Sequence, residues 1–566
     1  MIFLALIAVL LNSCKTDNTT NSKNQLNIHL AKDPVKLHPL YNARNVSREV
    51  YQYIHVLIAD YHPETMEMYP ILIEDIPELV DESDYSSYEL QILEDAVWGD
   101  GKPITGEDYI FTVKASLHPA TSPRIWKSFF ANIIDIEVNA DDPKKFIVYL
   151  DKSYMLKLET ALGFVILPKH KYKYAEVLDD LSLQQIMELD PQNLDDQMKL
   201  FVDDFENEKH FTTETLGVGP YELKNWNTDQ NLLLTAKENY WGNKHPDNPF
   251  LQSEIDTLSF KIIGDEMAAL TAFKDGAIDI EKGFSVRNYD DLQRQMPEAS
   301  FAQVQTMSYY FIALNNKSPI LKDPVVRKAL NLLVDVEQII TTIEAGHASP
   351  VDGPIHNTKS YYIENNASTE YDPSLAKDIL AGAGWKDSNN NGILDKMIDG
   401  KQTELDLDIL ITGSELGKNI ALIFKNEAEK VGVNIEVTPK DIRRMLNENI
   451  YNYNYDMAAL KENQDANPDD LYSRWHSDNI MEKGSNIVAY KSSEADSLIE
   501  QIRNEPQPSK RVENYKKVQR ILHQEYPCIF LYSPKEKFAF GKGIEGSLTP
   551  KRPGYLANTF KAKVPK

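Results

Sequence analysis

Nine residues, Asp387-Ser388-Asn389-Asn390-Asn391-Gly392-Ile393-Leu394-Asp395, set oxygen-bearing side chains at alternating positions around a glycine bend. That is the donor type and spacing of a calcium loop, because Ca²⁺ takes about six to eight oxygen ligands. An EF-hand also supplies a bidentate glutamate at its twelfth position, where this chain has Ile398. Asn-Asn-Gly is equally a turn preference, and no metal is assigned to the loop. A second acidic group, Asp100, Glu107 and Asp108, lies within Trp98-Gly99-Asp100-Gly101-Lys102-Pro103-Ile104-Thr105-Gly106-Glu107-Asp108. There Gly-Asp-Gly is a tight turn, and Thr105 with Asp108 forms a capping box opening a helix through Tyr109, Val113 and Leu117. Turn and cap together account for all three carboxylates. The twelve histidines are scattered without metal-ligand spacing. No Gly-x-Ser-x-Gly elbow, His-Glu-x-x-His pair, phosphate-cradling Gly-x-x-x-x-Gly-Lys loop or dinucleotide fingerprint occurs. No catalytic residue, cofactor or metal is therefore expected. An exported hydrolase has only abundant carboxylates in its favour.

A chain of 566 residues is too long for one ordinary core, so several lobes are expected. A formal net charge of −26 disfavours non-specific binding to nucleic acid or anionic lipid. Two cysteines, Cys14 and Cys528, exclude a disulfide scaffold and a cysteine-rich metal site. Residues 1–11 are almost wholly apolar, too short to span a bilayer but suited to an export signal. Leu11-Asn12-Ser13-Cys14 follows and resembles a bacterial lipobox, in which the cysteine becomes the lipidated first residue of the mature chain. No basic residue precedes the apolar run, and Asn12 is an unusual occupant; the alternative is ordinary cleavage nearby. Residues 15–24 are polar, as a tether should be.

The remaining pattern is mixed α/β. Alternation predicts strands at 26–30, 88–93, 146–150, 255–262, 309–315, 405–411 and 433–437, and apolar runs predict another at 528–532. Helical spacing marks 46–58, 265–273, 415–430, 493–504 and 511–524. Asp323-Pro324 opens a helix whose buried face runs from Val326 to Ile343, with Gly346 as its stop, and Asp372-Pro373 opens another that stops at Gly384. Residues 405–437 then form a βαβ unit with a right-handed parallel crossover. Residues 172–210 are acidic and helix-prone, as a solvated insertion would be. Gly217-Val218-Gly219-Pro220-Tyr221 is a turn leading into a strand, with Asn227-Thr228-Asp229 as a hairpin turn before Leu232-Leu233-Leu234 and Asn239-Tyr240-Trp241.

In order and spacing these stretches resemble the bacterial extracellular solute-binding proteins of the oligopeptide- and dipeptide-binding family, the capture components of ABC importers. Residues 98–108 are similar to the family's Trp-x-Asp-Gly-Lys-Pro-x-Thr-Ala-Glu-Asp, with Gly99 and Gly106 as departures. Residues 217–223 and Asn239-Tyr240-Trp241 match its Gly-x-Gly-Pro-Tyr and Asn-Tyr-Trp signatures, and residues 276–280 its Gly-x-Ile-Asp-x. Residues 315–330 and Tyr371-Asp372-Pro373 with Ala383-Gly384-Trp385 complete a likeness that runs nearly end to end.

The resemblance implies a two-lobed periplasmic-binding-protein-like α/β fold with an extra domain in the first lobe and a hinge of two crossing strands. The expected division is 1–14 signal peptide and 15–24 tether, then 25–45 with 206–308 and 530–566 as lobe I, 46–205 inserted, and 309–529 as lobe II. It also implies a lipid-anchored monomer of the cell envelope, facing the periplasm or exterior, that captures peptides for a permease without bond chemistry. Oligosaccharide or metal-chelate binding on the same fold are the alternatives. In peptide-binding relatives an acid four residues before Leu-x-Pro holds the ligand, and Asp33 occupies that place. An aspartate in their Gly-Trp-x-x-Asp-x-x-Asp-Pro segment pairs with the peptide amine. Anchored on Pro468, that position falls on Gln464, Lys461 replaces the tryptophan, and Asp465 stands one residue away. The expected ligand-binding residues are Asp33, Tyr310, Asn463, Gln464, Asp465 and Tyr532, with Cys14 as lipid anchor.

Overall fold

The computed structural model describes residues 24–41, 45–152, 154–363, 371–481 and 484–562. Cys14, the export signal and nearly all of the tether lie outside the described residues.

The chain enters through strand β1 (Gln25–Leu30), whose Leu26, Ile28 and Leu30 are buried. Helix α1 (Asn45–Tyr51) ends earlier than the spacing at 46–58 predicts. The Tyr53 and Ile54 carbonyls instead accept the Tyr221 and Gly219 amides, at 3.0 and 2.8 Å, so the chain leaves the helix there. An antiparallel sheet follows, of residues Val80–Asp81, β2 (Tyr85–Gln91), β3 (Ile133–Val138) and β4 (Lys145–Asp151). Helix α2 (Gly106–Leu117) begins as the capping pattern predicts, with the Asp108 carboxylate accepting the Thr105 amide at 3.1 Å. The acidic stretch at 172–210 is not merely solvated. It breaks into short helices, and α3 (Asp196–Phe205) buries Met198, Phe201 and Phe205 in a core shared with α2.

The hairpin β5 (Tyr221–Asn227) and β6 (Asn231–Ala236) returns the chain to β7 (Thr257–Ile262), which pairs in parallel with β1. Helix α4 (Glu266–Lys274), capped by Asp265, precedes the short strand β8 (Ile280–Lys282). Strands β9 (Ser300–Gln305) and β10 (Ser308–Leu314) are almost continuous. Beyond them the single long helix expected after Asp323 is two, α5 (Pro324–Leu332) and α6 (Val336–Glu344). Asp335 breaks the run by accepting the Gln338 amide at 2.8 Å as a new N-cap. Strand β11 (Ala348–Pro350) follows, then β12 (Asp406–Thr412), α7 (Glu415–Glu429) and β13 (Asn434–Lys440) build the expected parallel βαβ unit. Strand β14 (Met457–Asn463) was not legible in the alternation. Helices α8 (Ser493–Asn504) and α9 (Pro508–Glu525) lead to β15 (Cys528–Phe540), eight residues longer than the apolar run at 528–532 suggests.

Twelve strands form one sheet, in the order β13-β12-β14-β10-β15-β8-β1-β7-β6-β5, with β9 and β11 also paired to β15. Strand β15 therefore belongs to both halves. Residues 535–540 pair with β9, and Cys528, Ile529, Phe530 and Tyr532 pair with β10. At the crossing the Thr306 amide and hydroxyl both donate to the Pro534 carbonyl, at 3.0 and 2.9 Å, and the Ser533 hydroxyl donates to the Thr306 carbonyl at 2.8 Å. One half packs a core around Leu26, Phe260, Phe538 and Tyr555. The other packs both faces of its sheet, one around Ile312, Leu330, Ile409 and Phe424, the other around Phe311, Tyr490, Ile499 and Tyr515.

Candidate functional site

Among the described residues strand β12 pairs with β14 only at Ile409–Met457 and Leu410–Ala458, and beyond them that edge of β14 has no strand beside it. Its other edge pairs with β10 through to Asn463 opposite Ser308. That end of β14 borders two cavities. One, of about 610 Å³, lies beyond the carboxyl end of β12 and is lined by Tyr310, Ser414, Ile442, Tyr451, Lys461 and Arg474. The other, of about 450 Å³, lies between the halves of the molecule. Lys551 and Arg552 line it from the β1 half, Arg48, Asp60, Trp126, Phe129 and Glu159 from residues 46–205, and residues 464–467 from the β14 half. Ligands of α/β sheets sit in crevices outside the carboxyl ends of strands, and the first cavity has that position.

The loop after β14 is held from beneath by one lysine. Lys359 Nζ donates to the carbonyls of Asp465 and Ala466, at 2.8 and 2.7 Å, and to that of Asn467. Burial pushes the Lys359 ammonium below its ordinary value, while Asp469 and Asp465 oppose the shift. Burial likewise raises the Asp469 carboxyl, which accepts from the Tyr361 hydroxyl at 2.8 Å. Glu159 is buried and raised for the same reason; the Tyr61 hydroxyl donates to it at 2.8 Å. Of these groups Glu159 and Tyr61 line the interlobe cavity, and Lys359 holds the 465–467 loop that forms its opposite wall.

The residues singled out in the sequence separate into two groups. Tyr310 faces Lys461 across the β10–β14 pair, and Lys461 Nζ stands 5.3 Å from its ring centre. Asn463 Oδ1 accepts from Arg552 at 2.5 Å, a contact joining the two halves. The Gln464 amide nitrogen donates to the Met307 carbonyl at 2.8 Å, and its side-chain nitrogen is turned onto the Pro354 carbonyl. Asp465 is exposed in the interlobe cavity, and among the described residues its carboxylate accepts no hydrogen bond. Tyr532 corrects the expectation of a wall residue. It is 0% exposed, its hydroxyl donating to Glu344 at 3.2 Å, and it backs Tyr310 with ring centres 5.1 Å apart. Asp33 is bonded elsewhere. Its carboxylate accepts from Val35 N at 2.9 Å, Trp226 Nε1 at 3.2 Å and Asp229 N at 2.8 Å, fastening the β5–β6 hairpin. Among the described residues no hydrogen bond or ion pair joins it to the end of β14.

Sequence reasoning missed Lys359, Glu159 and Arg552, because each acquires its place through tertiary folding and none lies in a motif. The oxygen-rich loop closes on itself. Asp387 accepts the Asn391 and Gly392 amides, at 3.1 and 3.0 Å, and Asp395 accepts the Ser388 amide at 2.8 Å. Among the described residues no three His, Cys, Asp or Glu side chains gather to hold a metal, and no helix is long and apolar enough to cross a membrane.

A model of bacterial extracellular solute-binding proteins, family 5 (middle), matches residues 67–482. The chain is 25% identical over 570 residues to the oligopeptide-binding protein AppA of Bacillus subtilis, covering 98% of this chain and 96% of that one. The structure of Bacillus subtilis AppA in complex with a nonapeptide matches with a TM-score of 0.66 at 22% identity, covering 95% and 99% of the two chains. NikZ from Campylobacter jejuni, in complex with Ni(L-His), matches with a TM-score of 0.66 at 21% identity, covering 94% and 97%. These likenesses carry the two-lobed fold.

Proposed function

The chain belongs to family 5 of the bacterial extracellular solute-binding proteins, and we propose that it captures peptides between its two lobes and delivers them to the permease of an ABC importer. The observation that carries this reading is the unpaired edge of β14 beside two cavities. An extended peptide adds to such an edge through its own amides and carbonyls, a contact that accepts many side-chain sequences. The near end-to-end likeness to an oligopeptide-binding protein supports the choice of peptide. NikZ, with its nickel–histidine ligand, makes a chelate the second reading on this fold.

The β1 half, with residues 206–308 and 530–566, acts as lobe I, residues 46–205 as its insertion, and residues 309–529 as lobe II. Closure bends the two crossings at 306–307 and 533–535. Binding is coupled to hinge motion, and no bond is made or broken. The protein acts as a monomer held at the cell envelope through lipid on Cys14, which keeps it close to its transporter. Native mass spectrometry of purified protein, followed by identification of what is released on denaturation, tests the ligand class. Co-purifying short peptides are expected; a chelated metal or a sugar would overturn the peptide assignment. Replacing Cys14 with Ser should release the protein from the membrane fraction, and retention there would exclude the anchor.

A further inference from the structure

The end of β14 carries a cation whose ammonium has no bonded partner among the described residues. Lys461 is exposed, stands over the Tyr310 ring at 5.3 Å, and among the described residues makes no hydrogen bond or ion pair. The other cations around it are occupied differently. Arg474 pairs with Glu462 at 2.9 Å, and Lys551 pairs with Asp60. Burial lowers the Lys461 ammonium below its ordinary value and Arg552 adds to that shift, while Arg552 is itself bonded to the neutral amide oxygen of Asn463. Glu536 and Glu344 favour the Lys461 charge from a distance, and among the described residues neither is bonded to it. Glu344 is shared between the Tyr532 hydroxyl at 3.2 Å and Lys537 at 3.7 Å. Glu536 is pushed upward by its burial, opposed by Lys282, Arg552 and Lys461. Lys461 lines the larger cavity and Arg552 the interlobe one, so two cations stand about the end of β14 in a chain of net charge −26.

We propose that the cleft selects peptides carrying a carboxylate against the end of β14, with Lys461 as the residue that sets this preference and Arg552 reinforcing it. The inference rests on the peptide reading above and adds the charge of the ligand to it. An incoming carboxylate relieves the Lys461–Arg552 repulsion and gains a charge-assisted hydrogen bond from the ammonium. The carboxylate is supplied by an acidic side chain or by the peptide's own C-terminus, and the two sources are separable by amidation.

The test is calorimetric titration of ligand-stripped protein with matched tri- and pentapeptides that carry central Glu or central Gln, each with free and with amidated C-termini. Peptides with the recognised carboxylate should bind about tenfold more tightly than those lacking it. Preference for Glu over Gln assigns the side chain, and loss on amidation assigns the terminus. Lys461→Gln should abolish whichever preference is found, making the four versions bind alike. Lys461→Glu should turn the preference toward a central Lys. Because Lys461 is exposed and unbonded, both variants should melt as the parent does, which separates a lost contact from a lost fold. Equal affinity for all four versions would overturn the charge selection and leave the peptide reading intact. Failure of the folded protein to bind any of them, with a non-peptide solute released in mass spectrometry, would overturn the peptide reading and this inference with it.

Discussion

Asp465 and Gln464 show how far single residues could be placed from the sequence. The motif likeness anchored on Pro468 implies that Gln464 takes the place of an amine-binding aspartate, and the structure turns its side-chain nitrogen onto the Pro354 carbonyl. Asp465, one residue on, is exposed toward the interlobe cavity with its carboxylate unbonded among the described residues. Asp465→Asn should therefore weaken binding of a peptide with a free amine by about 1.5–3 kcal/mol, the range of a hydrogen bond to a charged group. An N-acetylated version of the same peptide should bind parent and variant alike. If both peptides lose affinity equally in calorimetry, Asp465 acts on the loop and not on the amine. Glycines illustrate the opposite case, in which a motif was legible but its reason was not. Gly217 and Gly219 suggest a tight turn, yet neither has a left-handed backbone. A Cβ on Gly217 would lie 2.0 Å from the Ile54 carbonyl oxygen, and one on Gly219 would lie 2.6 Å from that of Tyr53. The glycines are required by the close docking of two backbones, a contact between residues far apart in the chain.

At the scale of elements, what the sequence revealed followed from local causes. Asp372-Pro373 and the capping box at Thr105 placed helix starts correctly, because a cap and its helix are neighbours in the chain. Asp335 broke an apparently continuous apolar face because its capping bond outweighed the periodicity around it. Strand β14 escaped detection since Met457, Ala458, Ala459 and Leu460 show no alternation, being covered on both faces. The loop that follows depends on Lys359, whose nearest bonded partner is 106 residues away. Lys359→Met would leave the Asp465, Ala466 and Asn467 carbonyls without their donor. The expected result is about 1–3 kcal/mol less stability for this region and new protease cleavage between residues 465 and 469. Limited proteolysis with mass mapping reads this directly; a parental cleavage pattern would show that the loop holds its shape unaided.

The whole molecule should be sensitive to acid, and its hinge should govern ligand release. His55, His118 and His356 are held neutral by burial, which lowers them to about 3, 4 and 4 respectively, and His38 is lowered well below the ordinary value for the same reason. A histidine depressed in the fold binds its proton more readily when unfolded. Stability is therefore lost as pH falls below about 6.5, by about 1.4 kcal/mol per histidine per pH unit until the folded value is reached. His29, raised because Glu281 and the Ile263 carbonyl face its two nitrogens although burial opposes them, acts with the opposite sign. Its contribution is complete below about 6.5 and fades as pH rises through its folded value. With His210, which burial also lowers, five histidines against one predict a net fall in melting temperature between pH 7 and pH 5, and a flatter profile in His118→Phe; a flat parental profile would contradict it. Across the cleft, the contact from Arg552 to Asn463 favours the closed arrangement of the two halves. Asn463→Ala removes that contact and keeps Arg552 in place. A loss of about 1 kcal/mol shifts a closed–open equilibrium roughly fivefold. Because encounter takes place in the open form, stopped-flow measurements should show ligand dissociation accelerated by about that factor with association unchanged. Equal acceleration for acidic and neutral peptides would assign the effect to closure. Acceleration confined to acidic peptides would mean that Asn463 serves by positioning Arg552, and an unchanged dissociation rate would remove this contact from the control of closure.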